Sequence, residues 1–397
     1  MDHAGIYVHI PFCLKKCNYC DFYSEAIDDR EIRKAYTKAL FKEIGFYGTK
    51  YGKNFVADTI FFGGGTPTLM EPEFIDKIIQ TLRTYFKITE QCEITMECNP
   101  ATVTKEKLEK YRQAGVNRLS IGAQSFDDDV LQALGRVHKA CDIQETFSMA
   151  RDAGFENISL DLMFAVPKQT MKSWTDTIKK ALELQPEHIS LYSLEVVPGT
   201  VFGQMEEEGT LKVTSEEKDR KMYKRAIEML IGAGFNHYEI SNTSKPLLEC
   251  RHNMKYWSLA EYLGLGAGAH SYIKGVRYYN ISDISNYFTV MLSQDTESTL
   301  RLGGEEVFGA DCVDQYVVNS YQDNVSEYTF TALRTKMGVD FNYFNRRFKM
   351  EFWDIYGEQR LEFEKYVRDG YAISDYRHIA LTPKGMDISN KIMALFV

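Results

Sequence analysis

Three cysteines near the start of the chain are the residues whose types and spacing most directly indicate chemistry. Cys13, Cys17 and Cys20 follow a C-x3-C-x2-C pattern within the stretch CLKKCNYCDF. Three thiolates on one loop can converge on a single metal centre. The spacing alone leaves a disulfide, a zinc ion and an iron-sulfur cluster open.

The surroundings of these cysteines bear on that choice. Structural zinc normally has four protein ligands, and His9, inside an apparent strand, is the nearby candidate for the fourth. A four-iron cluster on three cysteines keeps one iron open for a non-protein ligand. The remaining cysteines are scattered singly and are predicted to be small buried side chains: Cys92, Cys98, Cys141, Cys250 and Cys312.

Composition narrows the class of protein. The 397 residues carry a formal net charge of -9, which disfavours binding to nucleic acid or anionic membrane as the main role. The N-terminus lacks the pattern of a signal peptide, and no run approaches the length of a membrane span. We therefore expect a cytoplasmic protein without structural disulfides, whose membrane contact, if any, is peripheral and made through a partner.

The cysteines must be positioned by a repeated βα pattern. Short apolar runs alternate with helical periodicity up to about residue 196: IYVHI, TIFFGG, EITMEC, RLSIGA, ISLDLMFAV and HISLYSLEV. This alternation predicts an α/β fold with a parallel sheet. Periodicity alone leaves a (β/α) barrel and a doubly wound sheet open.

Polar and glycine residues stand where these strands end. The second strand runs into Gly64, Gly65 and Thr66, and the third, fourth and fifth carry Glu97, Gln124 and Asp161 near their ends. In parallel βα barrels that edge of the sheet builds the active site. Singly, each residue is expected as a cap, turn or loop residue, but their joint occurrence predicts one shared small ligand.

Several motifs together resemble a known superfamily. YVHIPFCLKKCNYCDF, FFGGGTPT, MECNP, IGAQSF, LGRVH and DLMFAVP are similar to the radical S-adenosylmethionine (SAM) proteins, and more narrowly to the oxygen-independent coproporphyrinogen III oxidase group. The resemblance covers almost the whole chain. It implies a partial, TIM-like (β/α)6 barrel and a smaller C-terminal α/β domain, mainly helical and winged-helix-like.

The resemblance also implies two cofactors and their ligands. Cys13, Cys17 and Cys20 would hold a 4Fe-4S cluster, which makes zinc a remote alternative. The roles of SAM ligands carry over onto nine positions: Tyr7, Tyr19, Gly64, Gly65, Thr66, Glu97, Gln124, Arg136 and Asp161. Glu97 would accept from an ammonium group, Arg136 would balance a carboxylate, and Gln124 or Asp161 would hold ribose hydroxyls.

Two features separate the chain from the decarboxylating oxidases of that group. Phe22 stands where those enzymes carry a further cysteine, and the cluster motif begins without their N-terminal extension. His252, Tyr256 and Trp257 complete an H-N-x-x-Y-W pattern typical of the HemW branch, which implies haem binding and delivery. His252 would ligate haem iron while the two aromatic rings pack on the macrocycle.

Alternatives remain open at this point. RHNMKYW also fits a structural segment in which His252 hydrogen-bonds internally, with haem held by a cysteine or His270. A catalytic radical enzyme acting on a tetrapyrrole, by propionate oxidation or by methyl transfer that opens haem, is the second functional hypothesis. The resemblance implies three partners: haem, an electron donor such as a flavodoxin or ferredoxin, and a haem-accepting respiratory protein.

The predicted domain organisation has three parts. Residues 1–245 form the barrel with its cluster, residues 246–299 connect, and residues 300–397 form the C-terminal domain. EEVFGADCVDQYVV is predicted as helical, and GYAISDYRHIALTPKGMDISNKIMAL as a hairpin followed by a helix.

Overall fold

The fold is known from a computed structural model that describes residues 3–293, 300–302 and 307–397. Its centre is a sheet of six parallel strands that lie side by side in chain order. They are β1 (Ala4–Ile10), β2 (Val56–Gly64), β3 (Lys87–Cys98), β4 (Arg118–Gln124), β5 (Asn157–Phe164) and β6 (His188–Ser193). Sequential order is that of a (β/α) barrel, so the α/β prediction is confirmed and the doubly wound alternative is wrong.

Further strands extend this sheet at both edges. Antiparallel β7 (Asn236–Glu239) and β8 (Asn242–Ser244) follow β6. At the other edge β9 (Tyr262–Leu265) lies parallel to β1. Antiparallel strands then continue outward from it: β10 (His270–Ile273), β11 (Val276–Asn280) and β12 (Val313–Val318). The twelve-stranded sheet is therefore open, as in a partial barrel.

Helices follow the parallel strands and cover their outer face. Those of the barrel are α1 (Arg30–Tyr51), α2 (Pro72–Tyr85), α3 (Lys105–Ala114), α4 (Asp128–Ala133), α5 (Ala140–Asp152), α6 (Met171–Glu183), α7 (Val201–Glu207) and α8 (Glu216–Gly232). Two more, α9 (Arg251–Trp257) and α10 (Ile284–Leu292), lie in the segment around β9 to β11. None of the helices in the described ranges is long and apolar enough to cross a membrane.

Strand alternation divides the sheet into a core face and a cavity face. In β1, Ile6, Val8 and Ile10 are buried in the main hydrophobic core, while Tyr7 and His9 face the opposite side. Successive side chains of a strand point to opposite faces, so the inner face receives every second residue. The same alternation places polar side chains from β3 to β6 around an internal cavity.

A second hydrophobic core lies in the C-terminal part and includes residues of β9 and β10 as well as of 325–396. Its helices are α11 (Tyr321–Ala332), α12 (Phe341–Phe348), α13 (Phe352–Ile355), α14 (Gly357–Arg368), α15 (Pro383–Met386) and α16 (Ser389–Met393). A small antiparallel sheet joins β13 (Val339–Asp340), β14 (Ala372–Ser374) and β15 (His378–Leu381). The predicted hairpin followed by helix is present.

One predicted element is wrong. EEVFGADCVDQYVV was expected to be helical, but Phe308–Gly309 pairs with Leu300–Arg301, and Val313–Val318 forms the edge strand β12. Residues 305 and 306 of that stretch lie outside the described residues. The β-branched valines at 313, 317 and 318 favour a strand because they pack well on a pleated surface.

Candidate functional site

The three cysteines lie on the loop between β1 and α1 and line one cavity of about 390 Å³. Cys13, Cys17 and Cys20 are partly exposed free thiols. Of the five single cysteines predicted to be buried, Cys141 is exposed, so that prediction is wrong for it, while the other four are buried. Burial raises the pKa of the Cys20 thiol to about 11 and also raises that of Cys13. A bound cation would favour the thiolates, because metal binding deprotonates the ligating thiol.

A chain of hydrogen bonds supports two of these sulfurs. The Thr66 hydroxyl donates to Cys13 Sγ at 3.6 Å, and Arg136 Nη1 donates to Cys17 Sγ at 3.6 Å. Asn99 joins the two supports, because its Nδ2 donates to Thr66 Oγ1 at 2.7 Å and its Oδ1 accepts from Arg136 Nη2. Donors to cluster sulfurs are a means by which a protein tunes such a centre.

The glycine turn after β2 is closely packed against this loop. Gly64 has a φ of +113°, and a Cβ there would lie 2.4 Å from the His9 ring. A Cβ on Gly65 would lie 2.7 Å from the Phe12 carbonyl oxygen and 3.1 Å from Cys13 Sγ. Both positions therefore require glycine for the backbone to approach the cluster loop.

Two carboxyl groups give this cavity its electrostatic character. Glu97 accepts from the Gly64 N–H at 3.0 Å, and burial, with Asp161 nearby, raises its pKa to about 8. Asp161 accepts from the Ser120 hydroxyl at 3.0 and 3.1 Å, and burial raises its pKa as well. Neither acid forms an ion pair within the described part of the chain, and two adjacent buried acids favour a positively charged ligand.

The structure brings together all but one of the cluster and SAM residues predicted from the sequence. Tyr7 lies outside the cluster-side cavity, whose predicted lining residues are Cys13, Cys17, Tyr19, Cys20, Gly64, Gly65, Thr66, Glu97, Gln124, Arg136 and Asp161. Gln124 ends β4 at a left-handed φ of +61°, and its amide makes no hydrogen bond within the described ranges. Its amide is therefore available to a ligand.

These residues fit both implied cofactors. The His9 ring, the candidate fourth zinc ligand, is already engaged: Nε2 lies 2.8 Å from the Tyr23 carbonyl oxygen and Nδ1 lies 3.1 Å from the Tyr7 hydroxyl. Three thiols without a fourth protein ligand suit a cluster that keeps one iron open. The paired acids suit the ammonium and sulfonium charges of SAM, and the Gln124 amide suits its hydroxyl groups.

A larger cavity of about 580 Å³ adjoins the cluster-side cavity. It is lined by Tyr7 and Phe61 from the first two strands and by His252, Tyr256 and His270 from the segment beyond residue 250. Six residues border both cavities: Asp21, Phe22, Glu97, Ser120, Asp161 and Tyr192. A ligand in one cavity therefore lies next to a ligand in the other.

The three residues predicted for haem are not all together. His252 and Tyr256 line the larger cavity, but Trp257 lines a separate one beside α11 and α12. His252 Nδ1 lies 2.9 Å from Thr59 Oγ1, and Nε2 lies 2.9 Å from the Tyr256 hydroxyl. Burial lowers the pKa of His252 to about 3, so its ring is neutral and both nitrogens are engaged.

Sequence reasoning missed several residues that line these cavities. Asn99 joins the supports of the cluster sulfurs, while Arg118, Ser120, Ser190 and Tyr192 line the inner face of β4 and β6. The signal was present, because polar residues at every second position of an apolar strand, as in RLSIG, mark a face that is not packed in the core.

Comparison with known proteins places this site in a family. Residues 7–181 match the model of the radical SAM superfamily. The chain is 36% identical over 398 residues to the heme chaperone HemW of Bacillus subtilis (strain 168), covering 98% of each chain. It is 33% identical over 391 residues to the heme chaperone HemW of Lactococcus lactis, covering 98% of this chain and 96% of the relative.

The chain belongs to the HemW family of radical SAM proteins. Its fold is similar to that of coproporphyrinogen III oxidase (HemN) from Escherichia coli, with a TM-score of 0.83 at 23% identity, covering 99% of this chain and 90% of that one. That likeness concerns the fold. Family membership implies a 4Fe-4S cluster and SAM, in agreement with the cavity that the cysteines line.

Proposed function

We propose that this protein is a haem chaperone that holds haem in the larger cavity, next to the cluster and SAM, and passes it to an acceptor protein. The names of its full-length relatives and the shape of the larger cavity support this function. The observation that carries it is an aromatic cavity lined by one histidine ring, that of His270, whose nitrogens have no hydrogen-bond partner among the described residues.

The lining of the larger cavity suits a flat apolar macrocycle. Seven aromatic rings contribute to it: Tyr7, Phe22, Tyr23, Phe61, Tyr192, Tyr256 and Tyr262. Phe22 is 64% exposed and stands at the border of both cavities. Aromatic rings bury large apolar areas and stack on other π systems, so these side chains favour a porphyrin over a small polar ligand.

His270 is the candidate iron ligand in this cavity. Its side chain is exposed, its ring stacks on Tyr279 at 5.0 Å, and neither ring nitrogen has a hydrogen-bond partner among the described residues. Partial desolvation by the cavity wall and the nearby Arg277 lower its pKa, which favours the neutral imidazole that binds iron. His252, in contrast, would have to give up a hydrogen bond to Thr59 or Tyr256.

For the cofactors, we propose that Cys13, Cys17 and Cys20 hold the cluster. Glu97 accepts from the SAM ammonium group, and Gln124 and Asp161 hold its hydroxyl groups. Arg136 already donates to Cys17 Sγ and to the Gly122 carbonyl oxygen at 2.9 Å, so it supports the cluster in addition to pairing with a ligand carboxylate. An electron donor of the flavodoxin or ferredoxin kind and a haem-accepting respiratory protein complete the proposal.

An oxygen-independent coproporphyrinogen III oxidase is the second candidate function. One observation favours it: six residues, Glu97, Asp161 and Phe22 among them, border both cavities. A tetrapyrrole in the larger cavity would therefore lie directly beside the cluster-side cavity. Proximity of substrate and cofactor is what such an enzyme needs. The absence of a cysteine at position 22 is the sequence feature that argues against it.

One experiment separates the two functions. The protein is reconstituted without oxygen and haem is titrated by absorbance, while 5'-deoxyadenosine is assayed in parallel with SAM, a reductant and coproporphyrinogen III. A chaperone binds haem stoichiometrically and gives no substrate-dependent turnover. Multiple turnovers coupled to loss of substrate carboxylate would overturn the chaperone function and establish the oxidase.

A further inference from the structure

Arg118, the first residue of β4, is a buried charge without a partner among the residues that the structure describes. Its side chain lines the larger cavity, and the residue is 2% exposed. The Nε atom is buried and has no hydrogen-bond partner. Across the described ranges, the guanidinium forms neither an ion pair nor a hydrogen bond with any other side chain or with the backbone.

The acids near Arg118 are committed elsewhere. Glu93 accepts from the first N–H groups of α9, those of Arg251 and His252, each at 3.1 Å. Asp161 accepts from the hydroxyls of Ser120 and Ser159. Within the described ranges neither carboxylate forms an ion pair with Arg118, although both raise its pKa over longer range.

Arg118 nonetheless remains charged. Burial alone lowers its pKa, but the surrounding groups, Cys250 first and then Glu93, Tyr238 and Asp161, raise it above the ordinary value. An uncompensated charge removed from water is costly unless it is paired and hydrogen-bonded. A side chain held in this state beside a cavity is poised to pair with an anionic group of a ligand.

We propose that Arg118 binds a carboxylate of the ligand in the larger cavity, and that this carboxylate is a propionate of a tetrapyrrole. The planar guanidinium offers two parallel N–H donors that match the two oxygens of a carboxylate. The inference rests on the proposed function, because it requires a tetrapyrrole in this cavity. It adds the group that recognises the polar edge of that ligand.

The position of Arg118 favours a tetrapyrrole over SAM as the source of the carboxylate. SAM also carries a carboxylate, but its predicted ligands line the cluster-side cavity, where Arg136 lies. Arg118 lines the larger cavity and does not line the cluster-side cavity. The two sources are separable by experiment, because esterification removes the charge of a propionate and leaves the macrocycle unchanged.

The test compares haem with iron protoporphyrin dimethyl ester on the reconstituted protein. Arg118→Gln is expected to weaken haem at least about 30-fold, the effect of removing one partner of a buried charge pair. The same variant should bind the ester as the unaltered protein does. Arg118→Lys keeps the charge but lacks the planar pair of N–H donors, so its haem affinity should lie between those of Arg118→Gln and the unaltered protein.

Stability controls keep the result interpretable. Thermal unfolding of the ligand-free Arg118→Gln variant checks that it is folded, so that a loss of haem binding cannot be ascribed to a folding defect. Arg33→Gln is the matched control, because Arg33 is also buried but pairs with Asp28 and Glu71 at 2.9 Å. It should lower thermal stability and leave the preference for haem over its ester intact.

Each other outcome overturns the inference. Equal losses for haem and ester, or no loss for either, would show that Arg118 does not recognise a propionate. Weakened binding of radiolabelled SAM with unchanged haem affinity would assign the carboxylate to SAM. If the unaltered protein does not bind haem, the proposed function is overturned as well. If the unaltered protein binds haem and its dimethyl ester with equal affinity, only the role of Arg118 is overturned.

Discussion

The two adjoining cavities are built from the chain in different ways. The cluster-side cavity draws on short motifs, since Cys13 to Ser24, Gly64 to Pro67 and Glu97 to Asn99 supply much of its lining. The larger cavity combines inner-face residues of the parallel strands with side chains from His252 to Ser282. The spacing of residues within short motifs therefore specifies the cluster-side cavity, whereas the larger cavity forms only when β9 pairs with β1.

The cavities also differ in charge. Glu97 and Asp161, two acids that favour a cationic ligand, border both cavities, whereas Arg118 and His270 line only the larger one and lack hydrogen-bond partners among the described residues. The larger cavity therefore offers a guanidinium and an imidazole of its own to a second ligand. Substitutions confined to one cavity test whether the two sites are separable.

The largest effect is expected from Cys17→Ser. Loss of one of three thiolate ligands should abolish the cluster, measured as iron and sulfide content after anaerobic reconstitution. Haem affinity measured without SAM should stay within about twofold, because Cys17 neither lines the larger cavity nor belongs to the shared border. Cys141→Ser, at an exposed cysteine away from both cavities, is the control. A parallel loss of haem binding would contradict two separable sites.

Glu97→Gln should weaken SAM binding about 30-fold, the loss of one hydrogen bond to a charged group of about 2 kcal/mol. Equilibrium dialysis with labelled SAM measures it. Because Glu97 borders both cavities, the haem affinity of the same variant shows whether the Glu97 carboxyl group also affects ligand binding in the larger cavity. Glu195→Gln, which also changes a carboxylate lining the cluster-side cavity, is the control and should have a smaller effect.

The raised pKa of Glu97 predicts a pH effect on the ligand-free protein. The unfolded chain releases this proton near 4.5, while the folded chain holds it to about 8. Between these values the folded state binds more protons, so its stability falls as pH rises. Thermal unfolding across this range should show less decline for Glu97→Gln, and identical profiles for the two proteins would contradict the assignment.

His270→Ala should weaken haem about tenfold and change its absorbance spectrum, because an axial ligand is lost. His252→Ala is the paired variant. It should cost about 1–3 kcal/mol of stability, since it leaves Thr59 and Tyr256 without their partner, and should retain the haem spectrum. The reverse pattern would return the ligand role to His252.

The smallest effect is expected from Phe22→Ala. Its exposed ring should bury about 40 Å² against a macrocycle, worth about 1 kcal/mol or about fivefold in haem affinity. Phe22→Leu should retain most of that affinity. SAM binding, measured on the same variants, should change less than haem binding, and an equal change would show that Phe22 serves both cavities.

The cluster-side cavity could be predicted from the sequence more fully than the larger cavity. Cys13, Glu97 and Arg136 were predictable because each lies in a motif whose residue types and spacing match a family. The βα alternation predicted a parallel sheet, but the sequential strand order came from the resemblance, because alternation alone also fits a doubly wound sheet. The separation of Trp257 from His252 was not predicted, because these two residues of the short helix α9 face different cavities. The alternation in RLSIG places Arg118 on the inner face of its strand, but its lack of a hydrogen-bond partner is visible only in the folded structure.

The edge strand β12 shows a further limit. Residues 305–318 contain charges and apolar residues at spacings that are compatible with a helix, yet Val313–Val318 pairs with β11. Pairing with a distant strand supplies hydrogen bonds that no local pattern reports. Tertiary context therefore decided the structure of this segment.

The shared border between the cavities has a thermodynamic consequence. Glu97 and Asp161 touch both spaces, so a cation that ionises them in one cavity alters the electric field in the other. Binding free energies coupled in this way are reciprocal: whatever factor SAM imposes on haem affinity, haem imposes on SAM affinity. Occupancy of the cofactor site thereby sets how tightly cargo is retained, and removal of the cargo changes the hold on the cofactor.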